Sequence, residues 1–357
     1  MKRIIEFIAG NPWSFLLLAL PLTLAAQLWH WPPVAIFICA ALGIIPLAAY
    51  IGEATEDLAS YTNPRFGALL NATFGNAAEL IITIAAVKAG LIELVKASIT
   101  GSIIGNLLLV LGFSMLSGGI RHGTQTFNKR NASRNAILLV LAVVALVIPS
   151  AWSQAIGTEG NPKVEALSVG VAIIMIALYS LGLIEASSTK ESPISHRLTK
   201  NDLPGWTLRQ AIFILLLSTL GMVWLSETLV SATQAVIASL GVSEFFLGII
   251  LVPIIGNVAE HLVSLQLALK NKMDLSVEIA TSSSLQIALF VAPLLVFISL
   301  LLGHPLQLIF NRFELLAVLT AVVVSALVSS DGESTWLEGA GLLAVYLILG
   351  LGFFLLP

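Results

Sequence analysis

Apolar residues gather in eleven long runs, separated by short polar, glycine- or proline-bearing breaks. They lie approximately at 13–30, 33–51, 66–88, 95–117, 134–151, 164–185, 207–230, 245–269, 276–302, 311–329 and 336–356. A helix needs about 20 apolar residues to cross a hydrocarbon core. The pattern therefore predicts an all-α polytopic membrane protein with about eleven transmembrane helices. The first run is short and carries Pro21. Lys2 and Arg3 ahead of it imitate a secretion signal, but no small-x-small cleavage site follows, and the next run starts directly after Trp31-Pro32-Pro33. It reads as a retained helix.

Charge sets the orientation. With eleven crossings, Lys88, Lys96, Lys163 and Arg312 fall on one side, and the other thirteen of the 17 Lys and Arg residues fall on the side of the N-terminus. The excess marks the cytoplasm, so the N-terminus is expected inside and the C-terminus outside. Ser187 to Gly205 is the one sizeable polar interruption, with Lys190, Glu191, Arg197, Lys200 and Asp202. The expected division is an N-terminal helix over 1–32, a five-helix unit over 33–186, a cytoplasmic linker over 187–205 and a second five-helix unit over 206–357.

Composition agrees. The 357 residues are 57% hydrophobic and 10% charged, against about 25% charged in a soluble domain. The net charge of −3 says nothing about partners, and no basic patch suggests nucleic acid. The single cysteine, Cys39, lies in an apolar run, which rules out an intramolecular disulfide. No nucleophile–base constellation, His-Glu-x-x-His motif or glycine-rich phosphate loop occurs. No stretch would make the nucleotide domain of an ATP-driven pump. Neither an enzyme nor a cofactor is expected.

The two units share a word. Gly75-Asn76-Ala77-Ala78-Glu79 in the third run returns as Gly256-Asn257-Val258-Ala259-Glu260 in the eighth, and Ser102 and Ser283 each follow their glutamate by 23 residues. The third and eighth runs are five crossings apart, so they point in opposite directions and the units are inverted repeats. Such repeats meet at a midplane site and permit alternating access. A carboxylate at that depth costs roughly 2.5–3.5 kcal/mol on insertion scales. Interhelical hydrogen-bond glue accounts for a lone Asn or Ser; it accounts poorly for a glutamate duplicated in this way.

Residues three and four apart share a helix face. Asn76, Glu79 and Thr83 should form one stripe and Asn257, Glu260 and Ser264 another. Ser102 with Asn106, and Ser283 with Gln286, should face them. Gly75 and Gly256 allow close approach or a local break. This all-oxygen set suits a hard, flexible-geometry cation such as Ca²⁺ better than Mg²⁺ or Zn²⁺. Two adjacent carboxylates in low dielectric cannot both stay ionised without a cation. The site is then neutral with one Ca²⁺ or with two H⁺, which is the physical basis of antiport. Glu53, Glu56 and Asp57 at the end of the second run, Glu227 in the seventh, and His261 beside Glu260 are candidates for attracting cations or tuning the site. Each also has a plain reading as a solvated helix-end acid or a satisfied polar side chain.

These residues resemble the Ca²⁺/H⁺ (cation/proton) exchangers of the cation/calcium exchanger superfamily. The likeness is carried by Gly67 to Ile81, by Gly256 to His261, by Lys270 to Leu275 and by Ser283 to Phe290, and it extends over runs two to eleven. The resemblance implies one N-terminal helix plus two inverted five-helix repeats. It implies that Glu79 and Glu260 bind Ca²⁺ and exchange it for protons, with Asn76, Asn257, Asn106, Gln286, Ser102 and Ser283 completing the shell. Na⁺/Ca²⁺ exchangers of the superfamily usually place proline before the repeat glutamate; Ala78 and Ala259 stand there instead, which favours protons over Na⁺. The long acidic stretch that many relatives carry between the halves is missing. The implied partners are Ca²⁺, H⁺ and the lipid bilayer, in a membrane expected to be a prokaryotic plasma membrane. The pattern is silent on oligomeric state. A Na⁺-coupled Ca²⁺ exchanger is the nearest rival, and a cation channel the rival of another class.

Overall fold

The computed structural model describes residues 14–62, 64–157, 160–188 and 205–356. A short 3₁₀ turn at Ser14–Leu18 leads into α1 (Ala19–Leu28). Then follow α2 (Pro33–Ser60), α3 (Pro64–Phe74) and α4 (Ala77–Lys88). Next come α5 (Ile92–His122), α6 (Lys129–Ile156) and α7 (Pro162–Ser188). After the linker, whose residues 189–204 lie outside the described ones, come α8 (Leu208–Leu240), α9 (Glu244–Leu269) and α10 (Met273–Leu301). The chain ends with α11 (Arg312–Val328) and α12 (Trp336–Leu355). Among the described residues, eight helices are long and apolar enough to cross a membrane by length and composition.

Several helices outrun their apolar stretches. α2 continues to Ser60 and carries Glu53, Glu56 and Asp57 within it, and α8 continues to Leu240. Apolarity marks where a helix lies in hydrocarbon, while backbone hydrogen bonding carries it further into the interface. The end of α7 at Ser188 likewise places the start of the expected linker inside a helix.

The run 66–88 departs from expectation. It is two helices, broken at Gly75-Asn76. The Gly75 amide closes α3 on Asn71 O at 2.7 Å, and Asn76, at φ −102° and ψ 23°, begins α4 by accepting from Leu80 N at 3.0 Å. The matching word Gly256-Asn257 stays inside the continuous α9. There the backbone adjusts one turn earlier, in a π-helical stretch at Leu247–Leu251 that precedes Pro253. Proline cannot donate to the carbonyl four residues back and crowds it. That carbonyl, Ile249 O, is turned against Gly101 of α5, where a β-carbon would fall 2.1 Å from it. Two further π stretches lie at Gly105–Val110 in α5 and Ile287–Val291 in α10. A π turn widens a helix by one residue and often marks a working region.

Loop contacts sort the helix ends into two sets. At one end, Gln125–Thr126 pairs with Glu333–Ser334 as a two-residue antiparallel ribbon. Gln125 also donates to Ala268 O and Asn271 Oδ1, and Asp57 accepts from the amides of Gly205 and Trp206. At the other end, Lys88 meets Glu227, the Leu94 amide donates to Glu244, and Ser150 Oγ accepts from Phe310 N.

Inside, small residues let helices close up. α2 packs along α8, with Ala40, Ile44 and Leu47 buried on one side and Met222, Leu225 and Leu229 on the other. Outside, Ile173, Ile174, Leu181 and Ile184 on α7, Leu216, Leu217 and Leu220 on α8, and Leu347, Ile348 and Leu351 on α12 are exposed. Apolar surface of that extent needs lipid to cover it. The chain is an all-helical membrane protein.

Candidate functional site

The break between α3 and α4 determines how Glu79 is presented. Asn76 is the N-cap of α4 and Glu79 sits in its first turn. A helix N-terminus carries unpaired N–H groups and partial positive charge, which favours an anion there. Glu260 has no such support: it lies in the middle of α9. Two carboxylates from matching words thus meet different backbone environments.

α4 and α9 bring the two words together, and α5 and α10 pack against them. Glu79 is buried, and its side chain rests on Gly256, one helical turn before Glu260 in α9. Asn76 Nδ2 donates to Gln286 Oε1 at 2.5 Å, linking the first word to α10. Asn257 Nδ2 donates to Ser102 Oγ at 3.3 Å, linking the second word to α5, and to Pro253 O at 3.0 Å. Ser283 Oγ donates to Glu260. Asn76, Asn257, Ser102, Asn106, Ser283 and Gln286 are all buried. All eight residues expected from the sequence lie on the helices that cross here.

Two features depart from twofold equivalence. Ser283 holds its own glutamate, whereas its counterpart Ser102 holds the asparagine of the other half. Glu79 is enclosed, whereas Glu260 is partly exposed. Within the cluster, Asn257 Oδ1 is buried without a hydrogen-bond partner. An orphaned acceptor beside carboxylates and hydroxyls is what a hard cation would satisfy. Among the described residues no three His, Cys, Asp or Glu side chains converge; the oxygens come from two carboxylates, amides and hydroxyls.

The expected stripes are only partly realised. Thr83 Oγ1 donates to Glu79 O at 2.5 Å, so its hydroxyl is spent on its own helix. Ser264 shares hydrogen bonds with Ser276 Oγ at 2.7 Å and Ser114 Oγ at 3.1 Å, joining α9 to α10 and α5 away from the glutamates. Asn106 sits in the π stretch of α5, with its Nδ2 unpartnered.

The surrounding candidates separate as well. Glu56 is exposed on α2. Asp57 is a tether for the segment entering α8. Glu227 pairs with Lys88 at 2.8 Å on the surface. His261 is partly buried, and its Nε2 lacks a hydrogen-bond partner. Sequence patterning did not single out Glu314 or Lys96, both of which are buried. Their only signal is a charge set within or at the start of an apolar run.

Comparison with known proteins adds to this geometry. The chain is 45% identical over 359 residues to a Ca(2+)/H(+) antiporter of Aphanothece halophytica, covering 96% of each. It is 44% identical over 349 residues to the Ca(2+)/H(+) antiporter ChaA of Bacillus subtilis, covering 96% of this chain and 99% of that one. The solved structure of native YfkE superposes with a TM-score of 0.85 at 43% identity, covering 96% of this chain and all of that one. The sodium/calcium exchanger protein family model matches residues 32–184 and again 210–355. The chain belongs to the sodium/calcium exchanger protein family.

Proposed function

We propose that this protein is a secondary antiporter that expels cytoplasmic Ca²⁺ in exchange for external protons, at a midplane site built on Glu79 and Glu260. The observation that carries the reading is the meeting of two intramembrane glutamates, one from each half, within a shell of buried amides and hydroxyls. Relatives of nearly the same length that are named Ca(2+)/H(+) antiporters support the choice of ions. Asn76, Asn257, Asn106, Gln286, Ser102 and Ser283 would supply the remaining oxygens. One Ca²⁺ neutralises two carboxylates, and two protons do the same. Either loaded form crosses between conformations without carrying net charge through low dielectric, whereas the empty dianion resists crossing.

The architecture we infer is one N-terminal helix and two inverted five-helix repeats, in eleven crossings, with the N-terminus in the cytoplasm. The eight long helices, α1 with its leading turn, the α3–α4 pair and α11 make up that count. Support comes from the shared word, from π stretches at matching places in α5 and α10, and from a family model that matches in two segments. Alternating access follows as one repeat takes up the shape of the other.

The test uses inside-out vesicles made acidic inside, with radiolabelled Ca²⁺ added outside. Wild type should accumulate Ca²⁺ until a protonophore is added, and Glu79→Gln and Glu260→Gln should not. Uptake driven by Na⁺ and indifferent to the proton gradient would replace H⁺ by Na⁺ as counter-ion. Intact uptake in either mutant would move the site elsewhere.

A further inference from the structure

α6 and α11 pack side by side, and at the end of the bundle that carries the two-residue ribbon a groove of about 390 Å³ opens between them. α6 lines it with Ala132, Ser133, Ala136 and Val140, which are three or four residues apart and so form one stripe. Lys129, exposed, stands one turn ahead of Ser133 at the head of that stripe. α11 lines it with Ala326, followed by Ser329 and Ser330 just beyond the helix. α6 begins at this end and α11 finishes here, so the three serines lie at the mouth and Val140 and Leu141 lie deepest. From Ala132 to Leu141 is about 14 Å at 1.5 Å per residue. That is close to the depth of one leaflet, half of the roughly 30 Å hydrocarbon core.

The mouth is polar and held in place. Phe127 N donates to Gly332 O at 2.9 Å, and a β-carbon on Gly332 would stand 3.0 Å from Lys129 Cβ, so the end of α11 is fixed against the start of α6. Ser329 is 6% exposed, yet its Oγ has no hydrogen-bond partner among the described residues. A helical serine commonly bonds a carbonyl one turn back, as Ser325 does with Val322 O at 3.1 Å. The Ser329 hydroxyl is instead left over in the wall of the groove, and a buried hydroxyl without a partner is costly. Arg130 is exposed beside Lys129, while Arg134 is held by Glu185 at 2.5 Å. The nearby acids are Asp331, whose Oδ1 accepts from Glu333 N at 3.0 Å, Glu333 itself, and Asp274, which accepts from Asn128 N at 2.7 Å. These acids offset the cations over the surface as a whole. What the mouth offers an anion is local: one ammonium and a set of hydroxyls.

We propose that this groove is a binding site for one membrane phospholipid, with an acyl chain along the α6 stripe and the phosphodiester at the mouth on Lys129 and Ser329. A phosphodiester brings acceptor oxygens and one negative charge, which suit an ammonium and a donating hydroxyl. A lysine at a helix end lays its stem along apolar surface and carries its charge to headgroup level, and basic pockets between membrane helices hold lipid headgroups in this way. The apolar shaft, one leaflet deep, selects a lipid over free phosphate. The site lies on α6 and α11, whereas the paired glutamates lie on α4 and α9.

The purified protein, stripped of lipid in a non-ionic detergent, is titrated with phosphatidylglycerol and with diacylglycerol of the same chains, and native mass spectrometry counts the adducts. Wild type should hold one phosphatidylglycerol at about tenfold lower concentration than diacylglycerol, the lower end for a hydrogen bond to a charged group. Ser329→Ala should lose most of that preference. Its hydroxyl bonds nothing in the protein, so the change should leave the lipid-free melting temperature where it is. Lys129→Gln should weaken phosphatidylglycerol about fivefold, the effect of one basic residue at a charged bilayer surface. Ala136→Trp fills the groove and should abolish the single tight adduct. Equal binding of the two lipids by wild type would leave only an apolar crevice and overturn the proposal. So would an unchanged adduct in Ala136→Trp, or a fall in the lipid-free melting temperature of Ser329→Ala, which would make that hydroxyl structural. Phosphatidylethanolamine carries the same phosphodiester and should bind as phosphatidylglycerol does; binding as weak as that of diacylglycerol would show that net charge is read instead, against the proposal. Displacement of the lipid by inorganic phosphate would make free phosphate the ligand. A changed oligomeric mass in Ala136→Trp with lipid binding intact would give the groove to a second copy of the chain. Either result would equally overturn the assignment.

Discussion

The side chain of Glu79 rests on the bare face of Gly256: a β-carbon at that glycine would stand 3.5 Å from Glu79 Cγ and 3.8 Å from its Oε1. The glycine of one word is the floor under the glutamate of the other. A methyl group there makes ordinary van der Waals contact. Gly256→Ala should therefore fold and retain Ca²⁺ uptake with a modest change in KM. Gly256→Leu has no room beside the carboxylate, and overpacking of this kind costs about 1–3 kcal/mol. It should displace Glu79 and raise the KM for Ca²⁺ far more than alanine does. Equal kinetics for the two variants would mean that Glu79 is free to reposition without loss.

Ser283 donates to Glu260, and a hydrogen bond to a charged group is worth about 1.5–3 kcal/mol. Ser283→Ala should weaken Ca²⁺ affinity about tenfold, the lower end of that range. Ser264→Ala supplies the contrast, because its hydroxyl is engaged with Ser276 and Ser114. That change should lower the melting temperature in detergent and leave KM unaltered. A KM effect at Ser264 equal to that at Ser283 would place both hydroxyls in the shell.

Gly101 and Gly105 lie four residues apart on α5, yet a side chain would meet opposite surroundings. At Gly101 a β-carbon falls 2.1 Å from Ile249 O and 2.7 Å from Pro253 Cγ; at Gly105 nothing lies within 4 Å. The contact at Gly101 is with backbone, which cannot rotate away. Gly101→Ala should separate α5 from α9 and give poorly folded protein by size-exclusion profile. Gly105→Ala should remain monodisperse. Alanine is about 1 kcal/mol better than glycine inside a helix, so a small gain in stability is expected there.

The Lys88–Glu227 pair, 2.8 Å apart, leaves both side chains at least half exposed. Exposed pairs contribute about 0–1 kcal/mol. Glu227→Gln should change neither the melting temperature nor the Ca²⁺ KM measurably. A clear rise in KM would restore Glu227 to the path by which cations reach or leave the site.

Much of the candidate site was legible beforehand because carboxylates within apolar runs are rare and costly. Glu79 and Glu260 stand out by that cost alone, and their common spacing to Ser102 and Ser283 extends the signal to the next helix. Glu314 escaped notice for the opposite reason. It follows Asn311 and Arg312 at the head of a run, where an acid is normally a solvated first-turn residue favoured by the helix dipole. Only the packing of α5 and α6 around that turn buries it. Glu227 and Asp57 show the reverse: as acids within or just beyond apolar runs they resemble site residues, and their partners Lys88 and the Trp206 amide are far away in the chain.

What the sequence by itself determined is that the chain folds as long apolar helices and that one word carrying a glutamate occurs twice in them. The first follows from the free energy of placing side chains in hydrocarbon, which depends on residue type and run length and hardly on neighbours. What only the tertiary structure decided is how two copies of one word are used. The first breaks at Gly75-Asn76 and sets Glu79 at a helix N-terminus. The second runs unbroken through Gly256-Asn257, with its adjustment moved upstream to the π stretch before Pro253. The choice between them falls to long-range contacts: Ile249 O against Gly101, Asn76 on Gln286 and Asn257 on Ser102. Those partners are 148 to 210 residues distant in the chain, beyond the reach of any local pattern.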